Sequence, residues 1–207
     1  MNERNPDLLR WARLLFTISK SGLTYCKNDY DLERYHQLEE IAAEMLASNS
    51  DLSKEAVMES FSLQKGYATP KIDVRAAVFQ EEKILLIREL ADGGWAMPGG
   101  WADVGDLPSE TVRREVMEES GYDVKVDKVV AVLDANRMVP LEFYHAFKLI
   151  FLCNLVGGKP KTNHETTGVD FFGLENLPPL STARNTRGMI EEAFAHLHDP
   201  NRPTAFD

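Results

Sequence analysis

The spacing of apolar residues changes once along this 207-residue chain, near residue 66. Before that point the apolar positions recur at helical intervals. Leu8, Ala12, Leu15 and Ile18 follow Pro6 at steps of three and four, and Gly22 is expected to close this first helix. Leu32, Tyr35, Leu38, Ala42 and Met45 predict a second amphipathic helix. Val57 and Phe61, entered at Ser53, predict a third. The tract QKGYATPK, residues 64–71, carries the Gly and Pro of a linker. Beyond it the pattern is that of strands. KIDVRAAVF alternates with period two, QEEK can turn, and ILLIREL returns as the second arm of a hairpin. A glycine-rich loop, GGWAMPGGWADVGD, then leads into an acidic helix from about Pro108 to Ser120. YDVKVDKVVAVLD, FYHAFKLIFLCNLV and VDFFGL are further strands, with GGKPK turning after the second and LPPL stopping the third. A last helix runs from about Thr186 to His198. These elements predict a small all-α domain over 1–66 and a mixed α/β domain over 67–207.

Composition narrows the picture. The net charge is −10, which disfavours general nucleic-acid binding because phosphate affinity comes mostly from Lys and Arg. Two cysteines, Cys26 and Cys153, supply neither a disulfide framework nor a cysteine-rich metal site, and idle thiols in a reducing compartment are expected. MNERNPDLLRWARLLF lacks the pattern of a signal peptide, and the apolar run LIFLCNLV is too short to span a bilayer. A soluble cytoplasmic protein without membrane partners is the expectation.

The unusual feature is RREVMEESG, residues 113–121. A helix turns about 100° per residue, so Glu115, Glu118 and Glu119 share one face, and Glu115 and Glu119 form a repelling i,i+4 pair. Three carboxylates on one face are a hard oxygen site for Mg²⁺ or Mn²⁺, and a bound cation would offset their repulsion. From Gly100 the chain reads GWADVGDLPSETVRREVMEESGY, which closely resembles the Nudix box G-x5-E-x7-R-E-U-x-E-E-x-G-U, where U is a bulky apolar residue. Gly100, Arg114, Glu115, Val116, Glu118, Glu119 and Gly121 match. Asp106 stands where the pattern has Glu, and Tyr122 fills the last apolar position. WAMPGG before the box and NHETTGVDFFGLENLPPLS after it extend the resemblance over residues 71–207. PGGWADVG, the helical N-terminus and the ending PTAFD resemble a subgroup that includes CDP-choline pyrophosphatases and proteins labelled ADP-ribose pyrophosphatases.

The resemblance implies an α/β/α sandwich around a mixed sheet and metal-dependent hydrolysis of a nucleoside diphosphate linked to a second moiety. CDP-choline, giving CMP and phosphocholine, is the first substrate expected and ADP-ribose the second. RNA-end trimming and a non-catalytic nucleotide sensor are the rivals. It also implies Glu115, Glu118 and Glu119 as metal ligands and Glu165 or Glu115 as the general base, with Arg114 orienting the box carboxylates.

Further residues fit a substrate role less specifically. Arg88 shares a strand face with Ile84 and Leu86, so it is either a phosphate contact or a strand-end arginine. Arg75 shares a face with Asp73, and an ion pair competes with substrate binding there. Arg184 and Arg187, in STARNTR, can hold a phosphate or cap a helix. Gly100 lines the loop, and Trp101, Tyr67 and Tyr144 are aromatic platforms for a base. His145, among Phe143, Phe147 and Leu149, is expected at the core or its rim. Three short helices bury little surface alone, so residues 1–66 are expected to form a homodimer interface, with Leu8, Leu15, Ile18, Tyr35, Leu38 and Met45 supplying intrachain and interchain contacts.

Overall fold

A computed structural model describes residues 5–138 and 145–207; Phe143 and Tyr144 lie outside them. Contacts divide the chain after Pro70 into a helical unit and a mixed α/β unit.

The helical unit holds α1 (Pro6–Tyr25), α2 (Asp29–Ser48) and α3 (Lys54–Leu63). Each starts on a side-chain cap, from Asn5, Asn28 and Ser53 respectively, which satisfies an otherwise orphaned amide. Gly22 does not end α1; the helix continues for three residues. A side chain at Gly22 would collide with the ring of Tyr35, so this glycine permits a close α1–α2 approach. The buried stripe of α1 also differs from the expected one. It runs through Ala12, Phe16 and Ser19, and it leaves Ile18 exposed. The small side chains of Ala12, Ala42 and Ala43 let the helices approach, and Phe16 and Phe61 stack at 4.1 Å. Glu39 is buried and meets Lys20 at 2.7 Å.

The α/β unit is a mixed sheet between two helices. Its strands are β1 (Lys71–Gln80), β2 (Lys83–Glu89), β3 (Trp95–Ala96), β4 (Tyr122–Asp134), β5 (Ala146–Gly158), β6 (Thr166–Phe172) and β7 (Ala205–Phe206). The order is β3-β2-β1-β5-β4-β7, with β6 also on β2. β1 runs parallel to β5 and β7 parallel to β4; the other pairs are antiparallel. Glu81 and Glu82, both at positive φ, form the two-residue hairpin turn.

The helices of this unit are α4 (Pro108–Ser120), the four-residue α5 (Ala135–Met138) and α6 (Arg187–His198). Val112 and Val116 of α4 pack with Val74, Ala76 and Val78 on one sheet face. Met189, Ile190, Ala193 and Phe194 of α6 pack with Ala77, Leu86 and Ile150 on the other. Alternate residues of β1 therefore serve two cores, which makes the α/β/α sandwich. His145 is exposed just before β5. Cys153 is buried, and burial pushes its thiol up to about 12. β3 and β7, two residues each, are too short to announce themselves by periodicity.

Candidate active site

β2 pairs with β1 only beside the hairpin turn, at Ile84 and Lys83, while β6 pairs along its other edge from Ile84 to Glu89. Residues 98–102 take the vacated edge of β1. Ala76 N–H donates to Pro98 O (2.8 Å), Val74 N–H to Gly100 O (2.8 Å), and Ala102 N–H to Ile72 O (2.9 Å). Gly99 sits at φ +145°, and a Cβ there would lie 2.0 Å from Val74 O. Only glycine fits, because the loop is pressed against the strand as an extra ladder. The same pressing aims the Gly99 amide at α4, where it donates to Glu119 Oε2 at 2.8 Å.

α4 supplies the acidic face. Pro108 opens it and Gly121, in the left-handed conformation, ends it. The valines turn toward the sheet, so the glutamates emerge beside the loop in graded environments. Glu118 is exposed, Glu115 half-buried and Glu119 buried. Arg114 relieves their crowding, with Nη1 at 2.8 Å from Glu115 and 3.4 Å from Glu118. Asp106 Oδ2 lies 3.7 Å from Arg114 and Asp103 Oδ2 3.8 Å, so the shorter Asp106 still reaches the arginine.

Burial raises the Glu115 pKa, with Arg114 opposing. Burial raises Glu119 to about 7, against the Gly99 hydrogen bond and the positive charge of Arg75. Among the described residues no three His, Cys, Asp or Glu side chains form a ready-made metal cage. Glu115 and Glu118 turn to Arg114, and Glu119 accepts from an uncharged amide. The donor set nevertheless fits a hard divalent cation: all three side chains offer carboxylate oxygens, and a positive charge nearby would favour ionisation of the buried Glu119.

Other residues singled out by sequence are distributed as follows. Arg75 is 1 % exposed, and its guanidinium goes to both oxygens of Asp73 and to Met97 O. It is a buried ion-pair residue and not a surface for substrate. Lys148 completes that cluster from β5 by bonding Asp73. Arg88 is exposed past the edge of the core and donates to Gly93 O at 3.0 Å. Trp101 is 42 % exposed beside the loop's pairing with Asp73. Tyr67 belongs to the helical unit, where it lines a pocket with Tyr25 and Tyr35. Arg187 pairs with Glu191 within α6. Arg184 meets Glu89 at 3.2 Å. Glu165 projects from the turn before β6. Its amide is bonded to Asn163 Oδ1, its carbonyl accepts from Leu90 N–H, and its side chain is 62 % exposed.

Four contributors escape sequence reasoning. Glu89 is buried at the end of β2, beside the exposed Arg88. Thr166 donates its hydroxyl to Glu119 O (3.1 Å), which ties the Glu165 turn to α4. Asn185 is fully buried and accepts from Met97 N–H at 2.7 Å. Lys148 alternates with apolar residues in β5. A lysine or glutamate inside a strand of core residues is the signal available in advance, and it does not name the partner.

Residues 6–61 match a family model described as the UDP-X-like, N-terminal oligomerisation domain, and residues 69–193 match that of the NUDIX domain. The putative ADP-ribose pyrophosphatase YjhB of Bacillus subtilis is 40 % identical over 200 residues, 96 % of each chain. A crystal structure titled as an ADP-ribose pyrophosphatase from Streptococcus suis is 42 % identical with a TM-score of 0.63, covering 67 % of this chain and 100 % of that one. A crystal structure titled as a UDP-X diphosphatase is 36 % identical with a TM-score of 0.63, covering 97 % of this chain and 98 % of that one.

Proposed function

The chain belongs to the NUDIX family as a Nudix pyrophosphohydrolase, and from that premise we propose that it cleaves the pyrophosphate of a nucleoside diphosphate joined to a second moiety, with ADP-ribose as first substrate. The names of two relatives similar to this chain favour ADP-ribose over CDP-choline, the first expectation from sequence. UDP-linked compounds are the second reading, supported by likeness to the UDP-X diphosphatase along nearly the whole chain. The observation that carries the catalytic reading is Glu119, a buried carboxylate held by the glycine loop on the same helix face as Glu115 and Glu118.

Nudix hydrolases need a divalent cation. Here we assign Mg²⁺ or Mn²⁺ to Glu115, Glu118 and Glu119. When bound, the ion supplies positive charge at the phosphate oxygens and acidifies a water. Arg114 keeps Glu115 and Glu118 on one side of the helix until the cation is present. Glu165 acts as general base and accepts the proton of the attacking water. The water oxygen bonds to phosphorus as the bridging oxygen departs, giving a nucleoside monophosphate and a phosphomonoester. The ordered backbone and open side chain of Glu165 suit this role better than Glu115, whose carboxylate is only 14 % exposed and already held by Arg114.

A panel of ADP-ribose, UDP-sugars and CDP-choline, with Mg²⁺ or Mn²⁺ and product masses read by mass spectrometry, tests the reading. AMP and ribose 5-phosphate are expected from ADP-ribose; no metal-dependent product from any member overturns it. Glu165→Gln is expected to retain metal binding while turnover falls by ~10²–10⁴-fold. Unchanged turnover moves the base to Glu115.

We also assign the helical unit to a homodimer contact. Leu15 and Met45 pack against its core, the intrachain part of the contacts expected from sequence. Ile18, also among those expected contacts, lies with Trp11, Leu14 and Tyr25 in an exposed stripe along α1, 46–71 % accessible. Light scattering is expected to give twice the 23.4 kDa chain mass, and the Trp11→Glu, Ile18→Glu double variant the chain mass. A monomeric wild type at micromolar concentration removes the assignment. Among the described residues no helix is long and apolar enough to cross a membrane.

A further inference from the structure

The acidic site faces an anionic substrate, so cations other than the metal are needed to receive the phosphates. Arg75 is buried and committed to Asp73, and Arg114 is committed to the box carboxylates. Arg184 differs. Its Nε lies 3.2 Å from Glu89 Oε1, while its side chain is 43 % exposed and that of Glu89 is only 8 % exposed. A guanidinium carries its N–H donors on two edges, so one held through Nε still presents a terminal nitrogen outward, in geometry suited to phosphate oxygens.

The position of Glu89 follows from the strand ladder. It lies opposite Thr166, where the β2–β6 register shifts. The Thr166 hydroxyl donates to Glu119 O, and the amide of the next residue, Leu90, donates to Glu165 O at 2.8 Å. The end of β2 therefore meets the backbones of Glu119 and Glu165 at one corner, and Glu89 anchors Arg184 there. The loop bearing the arginine is also fastened to the segment leading into the glycine loop. Asn185 Oδ1 accepts from Met97 N–H at 2.7 Å, and Ser181 Oγ donates to Asp92 at 2.8 Å. A buried carboxylate is costly unless paired. Pairing it with a half-exposed arginine orients that arginine at the site's edge, which an apolar pair could not do.

We infer that Glu89 is a positioning residue that aims Arg184 at the phosphate chain of the substrate. The inference rests on the pyrophosphohydrolase reading for its substrate class.

A double-mutant cycle of Glu89→Gln and Arg184→Ala tests it, using ADP-ribose kinetics with Mg²⁺ and calorimetry with α,β-methylene-ADP, which cannot be cleaved between its phosphates. Arg184→Ala is expected to raise KM and the probe's Kd by about tenfold or more, with KM rising more than kcat falls. Arg184→Lys recovers only part, because it keeps the charge without the fork. Glu89→Gln raises KM less and adds nothing in the Arg184→Ala background, a coupling that a purely structural role does not produce. If Glu89→Gln melts far below wild type, Glu89→Asp replaces it; its shorter carboxylate withdraws from Arg184 and is expected to give the same coupled rise. Multiplicative effects of the two changes, or an unchanged KM and Kd in Arg184→Ala, overturn the inference. If wild type does not cleave ADP-ribose but the cycle holds in probe binding, the inference stands and the substrate reading fails. If wild type cleaves ADP-ribose and the changes are independent, the inference alone fails. Neither turnover nor probe binding by wild type ends both.

Discussion

Replacing Glu119 with glutamine is expected to lower turnover by ~10³-fold while stabilising the metal-free protein at neutral pH. Both effects come from one feature. Glu119 is 6 % exposed, and its hydrogen-bond donor is the uncharged Gly99 amide. Burial lifts its pKa from the usual 4.5 to about 7. Between those values the native state keeps a proton that the unfolded chain has lost. Metal-free stability therefore falls as pH rises through that window, by at most ~1.4 kcal/mol per pH unit, and levels off above it. Glutamine keeps the hydrogen-bond acceptor and removes the ionisation, so its melting curve lacks that fall. It also removes an assigned metal ligand, so activity goes. Melting temperatures in EDTA from pH 4.5 to 8, with turnover in Mg²⁺, check both. Wild-type turnover in the variant sinks the ligand assignment. Parallel pH curves for the two proteins sink the buried-charge account.

Asp73→Asn is expected to destabilise the α/β unit by about 3–5 kcal/mol, read by urea unfolding at pH 7. Asp73 is the anion shared by two buried cations, Arg75 and Lys148. Burial opposes its ionisation, but the two cations override that and hold its carboxyl below the usual range. Lys148 is pushed down to about 8 by burial and by Arg75, with Asp73 resisting. The native state thus loses the Lys148 proton before the unfolded chain does, and this group's contribution to stability rises with pH from about 8 toward 10.5. Without Asp73 that rise begins at lower pH, because nothing then resists the depression. A loss under about 1 kcal/mol, with an unmoved alkaline limb, means that water or another group replaces Asp73 at little cost.

The sequence by itself determined what depends on neighbours along the chain. Pro108 and Gly121 bound α4, and the spacing of Glu115, Glu118 and Glu119 places them on one face in any helix. The alternation of KIDVRAAVF and ILLIREL specifies a hairpin because period two is a local property. Periodicity also marked the helices of residues 6–64, but it did not separate the exposed Ile18 from the buried Ala12 and ended the helix at Gly22. That glycine is a groove for Tyr35, and nothing near residue 22 in the chain says so.

Only the tertiary structure decided which charges are buried and what they meet. Arg88 and Glu89 are adjacent in a strand. Arg88 follows Ile84 and Leu86 out of the core into solvent, while Glu89 is covered and paired with Arg184, 95 positions on. Arg75 could be a substrate contact until Lys148 and Met97 are seen to enclose it with Asp73. Asn185 holds the loop ahead of Gly99 from 88 residues away. The physical reason is common to all of these. Apolar burial is nondirectional and leaves a periodic trace in the chain, whereas a buried charge or amide is tolerated only if a specific partner reaches it, and folding brings that partner from a distant segment.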